Sequence, residues 1–265
     1  MESNSQIEVI IPLASRRVAK DWPQMCRMLQ STHISVLALP KEFASVSIIG
    51  HERPESLSLG DRCRWTTVGW EPPHRDDTAG KLNDKGVKIR QGVQDAFARG
   101  AKWVMFVDAD DLLSNRLPEF CHLQDHDAVC FENGYSWEAG TDWLQRVPSF
   151  HRVCGTSWIM RLSPRLFPMW LGSGTHRVCD LSHTERHAAL IKENARIQTI
   201  RYPMAIYCVG HATATGFGEL FGSKSGTASS HQLTRVKNFA KRIVRRKRLT
   251  AEIKKEFSIP DPIRS

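Results

Sequence analysis

Five consecutive apolar residues, Trp103-Val-Met-Phe-Val107, run directly into Asp108-Ala-Asp110-Asp111. An uninterrupted apolar run of this length fits a strand buried on both faces, which requires a layer of structure on each side of its sheet. Three carboxylates crowded at the carboxyl end of such a strand would be costly without compensation. A divalent cation is the simplest compensation, because carboxylate oxygens suit Mg²⁺ or Mn²⁺. In open α/β sheets ligands bind at the carboxyl ends of the strands. The run therefore predicts a metal-assisted enzyme acting on a phosphorylated substrate.

The rest of the chain supplies the layers. Ile7-Glu-Val-Ile-Ile11 reads as a first strand stopped by Pro12. Residues 19–29 read as a helix with Ala19, Trp22, Cys26 and Leu29 on one face. Ala44–Ile49 and the short Trp65–Val68 read as further strands. Residues 69–83 form a Pro-, Gly- and charge-rich loop, longer than most connections and of the kind that is functional or disordered. Asn83 or Asp84 is the expected cap of a helix running to Gly100, with Ile89, Val93, Ala96, Phe97 and Gly100 on its inner face. The order strand, helix, strand, strand, helix, strand implies a Rossmann-like half with a parallel core. Beyond it, strands are expected at Asp127–Phe131, Val153–Met160 and Ala205–Val209, with a helix over Thr184–Glu193. There is no internal repeat.

Charge is concentrated at one end. Lys and Arg outnumber Asp and Glu by 37 to 28 in the whole chain, and 11 to 3 within residues 232–265. The high pI of about 9.4 thus describes a tail, which weakens a nucleic-acid reading of the whole protein. Within the tail, Leu233, Val236, Phe239, Ala240, Ile243 and Val244 share one face of a basic amphipathic helix. That pattern fits an anionic membrane surface, a helix packed on the catalytic domain or, third, nucleic acid. Seven cysteines with no CxxC pair argue for a reducing compartment. No segment has the length of a signal peptide or a membrane span. A cytoplasmic protein, peripheral on the inner face of the membrane if the tail binds lipid, is the expectation.

The ordered set of motifs resembles the GT-A glycosyltransferases, most closely the inverting family 2 type. IIPLASR at 10–16 resembles that family's first strand and the turn under the nucleotide base, and FVDADDLL at 106–113 its DxD segment. A helix carrying Lys85 and Lys88 precedes the DxD strand, and a late strand ends in YCVGH, 207–211. The resemblance implies a GT-A domain over residues 1–215, with a mostly parallel central sheet flanked by helices. It would be followed by a Gly/Ser-rich linker or lid, 216–231, and a basic C-terminal helical extension, 232–265.

It also implies a nucleoside diphosphate sugar as donor, a glycan, lipid-linked or small-molecule hydroxyl as acceptor, and Mn²⁺ or Mg²⁺ as cofactor. Asp110 would ligate the metal, with Asp108 nearer the ribose and sharing the metal, Asp111 orienting either, and His211 as a third ligand. Pro12, Arg16, Asp84, Lys85, Lys88 and Asp108 would line the nucleotide-sugar site. Lys85 and Lys88 are expected at a helix amino terminus, where anions are favoured.

The chain departs from the family where many members carry a Glu-Asp pair whose Asp is the base. Here the stretch reads CDLSHTERH, 179–187. Glu185 is the first candidate base, His183 the second, and Asp180 stays open. Trp137, Trp143, Trp158 and Trp170 lie in the acceptor-side half, as sugar platforms or as core.

Other readings compete. DADD also fits a helix cap with a solvated acidic turn, or a phosphatase-type hydrolase with Asp108 as nucleophile. An EF-hand is disfavoured by Leu113 at the position that needs glycine. Cys179, His183 and His187 have a zinc-like spacing, against which stands a buried cysteine with surface histidines. A non-catalytic membrane or nucleic-acid binding protein acting through its tail is the remaining alternative.

Overall fold

The computed structural model describes residues 6–167, 181–210 and 246–259. The sequence-predicted His211, Asp180, Cys179 and Trp170, the Gly/Ser-rich stretch 216–231 and the amphipathic face 233–244 lie outside those residues.

The apolar runs become the centre of a mostly parallel sheet. β1 (Ile7–Pro12) and β2 (Ala44–Gly50) are buried along their whole length. β1 pairs in parallel with β2 on one side and β4 (Trp103–Phe106) on the other, and β3 (Cys63–Thr67) extends the sheet beyond β2. Alternation sends Val9 and Ile11 to one face and Ile10 to the other. The first face packs on Met25 and Leu29 of α1 (Trp22–Leu37), and the second on Ile89, Val93 and Ala96 of α2 (Thr78–Ala98). This is the expected α/β architecture with helices on both faces.

Helix boundaries follow local chemistry. Asp21 caps α1 by accepting from the Gln24 N–H, with Pro23 in the first turn. α1 therefore starts later and runs longer than the predicted 19–29. The cap of α2 is Asp77, which accepts from the Gly80 N–H at 2.8 Å. The expected cap at Asn83 or Asp84 is corrected: the helix opens inside the predicted loop, and Lys85 and Lys88 lie past its first turn. Gly92 lets α2 lie close to the sheet, since a Cβ there would stand 2.6 Å from Ile10 Cγ2. Phe97, expected on the inner face, is 37% exposed. Gly100 ends the segment with φ +81°, as the C-terminal signal predicted.

The second half is more regular than its sequence suggests. β6 (Ala128–Phe131) and β10 (Ile197–Ile200) pair in parallel, and β9 (Trp158–Arg161) is antiparallel between β4 and β6. The seven strands run β10-β6-β9-β4-β1-β2-β3. The Trp- and Gly-containing stretch after Phe131 is a hairpin of β7 (Asn133–Glu138) and β8 (Trp143–Pro148). β11 (Ala205–Val209) lies parallel to β7 and antiparallel to β5 (Leu112–Leu113). The predicted strand 153–160 shortens to β9 because residues 150–152 form a 3₁₀ turn and 153–157 a loop. α3 (Leu117–Phe120) is a single turn after β5, and α4 (His183–Lys192) matches its prediction to within a residue at each end.

Residues 246–259 are built into this second sheet. β12 (Arg246–Arg248) pairs antiparallel with β8. Leu249, Ile253, Phe257 and Ile259, around α5 (Ala251–Glu256), pack with Leu112, Tyr135, Leu144 and Ile206. The Glu256 carboxylate takes hydrogen bonds from Ser114 Oγ at 2.6 Å and Tyr202 OH at 3.0 Å. Leu112 directly follows the acidic run, so the end of the chain buttresses it. Among the described residues no helix is long and apolar enough to cross a membrane. Phe257 is 1% exposed; Phe257→Ala is expected to destabilise the protein by about 3–5 kcal/mol in urea titrations. A loss within experimental error would show that the C-terminal segment is dispensable to the fold.

Candidate active site

The acidic run turns as it leaves β4, and its three carboxylates part company. The Asp111 N–H bonds to the Asp108 carbonyl, which closes the turn. Asp111 points inward and is fully buried. Its carboxylate accepts from the Thr156 hydroxyl, from Cys154 Sγ at 3.1 Å and from the Cys208 N–H at 3.4 Å. Burial, then the charges of Asp110 and Asp108, raise its pKa well above the ordinary aspartate value, despite the Thr156 and Cys154 bonds that act the other way.

Asp108 faces outward. Its carboxylate meets the Lys85 ammonium at 2.5 Å, with Lys85 43% and Asp108 27% exposed. Burial lowers the Lys85 pKa, but the Asp108 charge and hydrogen bond, with Asp110 and Asp111 behind, outweigh it and the net shift is upward. Asp110 is half-buried beside them.

The loop before β9 forms the floor. Thr156 Oγ1 accepts from the Asp108 N–H at 3.0 Å while its hydroxyl donates to Asp111, so one side chain ties both ends of the turn. At Gly155 a Cβ would stand 3.5 Å from Asp108 Oδ2. Tyr207, on β11, completes the wall: burial and then Asp111, Cys154, Asp110 and Asp108 push its pKa up. Thr156, Gly155, Cys154 and Tyr207 were not singled out from sequence. The first three sat inside a stretch read as one continuous strand, and Tyr207 entered only as the first residue of YCVGH, a motif read for its histidine.

α4 brings the base candidates to opposite situations. His183 is half-buried, hydrogen-bonds to the Arg152 backbone, and has its pKa lowered by burial; Asp108 opposes that shift, and Arg186 and Lys85 reinforce it. The imidazole thus shares the electrostatic field of the acidic turn and is neutral near pH 7. Glu185 is the third helical residue and is exposed. Its carboxylate accepts from the Ser182 hydroxyl at 2.6 Å and the Ser182 N–H at 3.2 Å, a capping box that holds its pKa below the ordinary glutamate value.

The nucleotide-side candidates also divide. Pro12 is buried at the end of β1. Arg16 is exposed in the following loop, its N–H on Glu52 Oε2 at 3.2 Å and its guanidinium 5.7 Å from the Trp22 ring centroid. Lys88 is 1% exposed and donates to the Leu13 carbonyl at 2.8 Å and to Asp84 at 2.5 Å. Asp84 also accepts from Trp70 Nε1 at 2.9 Å and lies 3.0 Å from His51 Nε2. Burial works to raise the Asp84 pKa, but its Lys88, Trp70 and His51 contacts bring it below the ordinary value. Burial pulls Lys88 below its own, more than Asp84 restores.

The pair is thus a buried ion pair beneath the ends of β1 and β2. The phosphate-binding role expected of Lys88 is corrected, since its ammonium is enclosed and spoken for. Lys85 alone of the two is accessible. Of the second-half tryptophans, Trp158 is buried core, Trp137 donates to the Thr141 carbonyl, and Trp143 is 50% exposed on β8.

Among the described residues, no group of three or more His, Cys, Asp and Glu side chains is arranged to hold a metal ion. No protein-family model and no curated protein matches the chain. Among solved structures, the fold is similar to 4-diphosphocytidyl-2C-methyl-D-erythritol synthase from Anaerococcus prevotii, at 12% identity over 75% of this chain and 89% of that one, with a TM-score of 0.43. It is also similar to mannose-1-phosphate geranyltransferase from Thermus thermophilus, at 14% identity over 75% of each chain, with a TM-score of 0.36. None of these likenesses assigns a role to a residue.

The Asp84–Lys88 pair yields a direct test. Lys88→Met leaves a buried carboxylate without its cation and is expected to cost about 3–5 kcal/mol. Adding Asp84→Asn should restore a large part of that loss in a double-mutant cycle read by denaturant titration. A Lys88→Met protein as stable as the wild type would show that the pair does not hold the fold together.

Proposed function

We propose that this chain transfers a sugar from a nucleoside diphosphate sugar to an acceptor hydroxyl at the carboxyl edge of its central sheet. One observation carries the reading: the acidic turn, with Asp108 turned outward onto an accessible lysine, stands at the end of β4, where α/β sheets bind ligands. The nucleotide lies across the loop that follows β1, past Pro12 and Arg16, and its diphosphate reaches Asp108 and Asp110.

A divalent cation fits this donor set. Asp108 already pairs with a cation, the Lys85 ammonium, and hard carboxylate oxygens suit Mg²⁺ or Mn²⁺. Asp108 and Asp110 would hold it, with His211 as the third ligand. Bound there, it would offset the negative charge that develops on the leaving diphosphate.

The protein's own groups do the rest. Lys85 is placed to turn from Asp108 onto a phosphate oxygen. Thr156 and Asp111 fix the turn on which Asp108 sits. His183 accepts the proton of the acceptor hydroxyl as it attacks the anomeric carbon. Its geometry favours it over Glu185, whose carboxylate is engaged in capping α4. Direct displacement at that carbon inverts its configuration.

With a panel of nucleotide sugars and Mn²⁺, Asp110→Ala is expected to lower turnover by about 10²–10³-fold and leave the melting temperature unchanged. His183→Ala should cost about 10²–10⁴-fold, and Glu185→Gln only a few-fold. The wild-type rate should fall as pH drops through a His183 pKa below the ordinary 6.5, because protonation removes the base. Full turnover in excess chelator, or Glu185→Gln as impaired as His183→Ala, would overturn these assignments. Phosphate release without an acceptor would point to hydrolysis with Asp108 as nucleophile.

A further inference from the structure

β12 is an edge strand of the second sheet, and its residues Arg246, Lys247 and Arg248 are all exposed. Its register with β8 sets Arg248 opposite Trp143 and Arg246 opposite Gln145. Directly opposed residues share a face of the sheet. The other face takes Lys247 and Leu144. Lys247 lies 5.7 Å from the Tyr135 ring centroid and donates to its hydroxyl at 3.3 Å, and Leu144 is buried in the cluster around α5. That face is buried further along at Val147, but at the hairpin end it emerges and presents an exposed indole flanked by guanidinium groups.

Folding accounts for only half of that pattern. Charged side chains commonly blunt an edge strand against pairing with another chain. A tryptophan left 50% exposed among them serves no such purpose, and Trp143 belongs to none of the hydrophobic clusters of the core. Asp142 and Glu138 lie at the tip of the β7–β8 hairpin, and Glu252 follows β12 by four residues. Ahead of β12 the sequence adds charge, with five Lys and Arg and no Asp or Glu in residues 232–245.

We propose that the outward face of β12 and β8, formed by Trp143, Arg246 and Arg248, docks on an anionic phospholipid surface. Guanidinium groups pair with headgroup phosphates, and the indole enters the interfacial layer, where tryptophan is favoured. A single-stranded nucleic acid would use successive aromatic platforms along a cationic groove; this face offers one indole. β7 and β11 are parallel, so the Glu138–Trp143 tip stands at the same end of the sheet as Val209 and Gly210. At Gly210 a Cβ would come 2.9 Å from Glu138 Cγ. The inference does not depend on the reaction proposed above.

The test is co-sedimentation of the full chain with vesicles of phosphatidylcholine alone or mixed with phosphatidylglycerol. Binding is expected only to the mixed vesicles, and high salt should weaken it. Trp143→Ser, which leaves every charge in place, should weaken binding about tenfold, and Trp143→Phe should retain most of it. Arg246→Glu with Arg248→Glu should abolish it. Equal binding to neutral vesicles overturns the proposal. So does wild-type binding by Trp143→Ser or by the charge-reversed variant, which would assign the effect to the rest of the tail. Binding of an oligonucleotide in place of the vesicles, weakened by Trp143→Ser, would reassign the face to nucleic acid.

Discussion

Carboxylates packed into one turn at the end of a buried strand repel one another, and the fold around β4 is arranged to separate them. Asp111 is turned into the protein, where Thr156, Cys154 and the Cys208 N–H take its oxygens and burial favours its protonated form. Asp108 is turned outward onto Lys85. The inward residue anchors the turn, and the outward one pairs with the Lys85 ammonium. Thr156 links the two, bonding to the Asp108 backbone and the Asp111 side chain at once. The polar site thus rests on a buried polar network whose members are satisfied, the condition under which such networks give rigidity rather than cost.

The surrounding elements follow from that requirement. β11 reaches the turn from the second sheet, and β5, immediately after Asp111, pairs with it. α5 and Phe257 close the far side of Leu112. The C-terminal segment therefore contributes to the position of the acidic turn although it is remote in sequence. α2 serves two functions at successive turns: Lys88 is spent on Asp84 and the end of β1, while Lys85, three residues earlier, faces the site. α4 likewise gives Glu185 to its own cap and His183 to the site.

Much of the fold was legible in the sequence. β4 is a continuous apolar run, β1 and β2 are apolar-rich strands interrupted only by Glu8, Ser45 and Ser47, and Gly100 marks the end of α2. The α2 start was not, because Asp84 satisfies the composition of a cap while its side chain is drawn inward to Lys88; Asp77, inside a polar loop, makes the cap. The β7–β8 hairpin was hidden by the buried Gly134 and Ser136, which break the expected apolar alternation. In the candidate site the acids and His183 were visible as residue types. Thr156 and Gly155 were not, because a short loop holds its chemistry in backbone position rather than in a spacing pattern. The basic tail read as an appendage; register with β8 and packing against Leu112, which no local pattern encodes, make residues 246–259 part of the fold.

On the proposed reading Asp108 and Asp110 hold a cation that engages a diphosphate. Crystals grown with Mn²⁺ and a nucleoside diphosphate, measured at the manganese absorption edge, probe this without recourse to activity. One anomalous peak beside Asp108 and Asp110 and next to the diphosphate is expected, with Lys85 moved from Asp108 to a phosphate oxygen. A diphosphate bound elsewhere, or an Asp108–Lys85 pair left intact with no metal beside it, would contradict it.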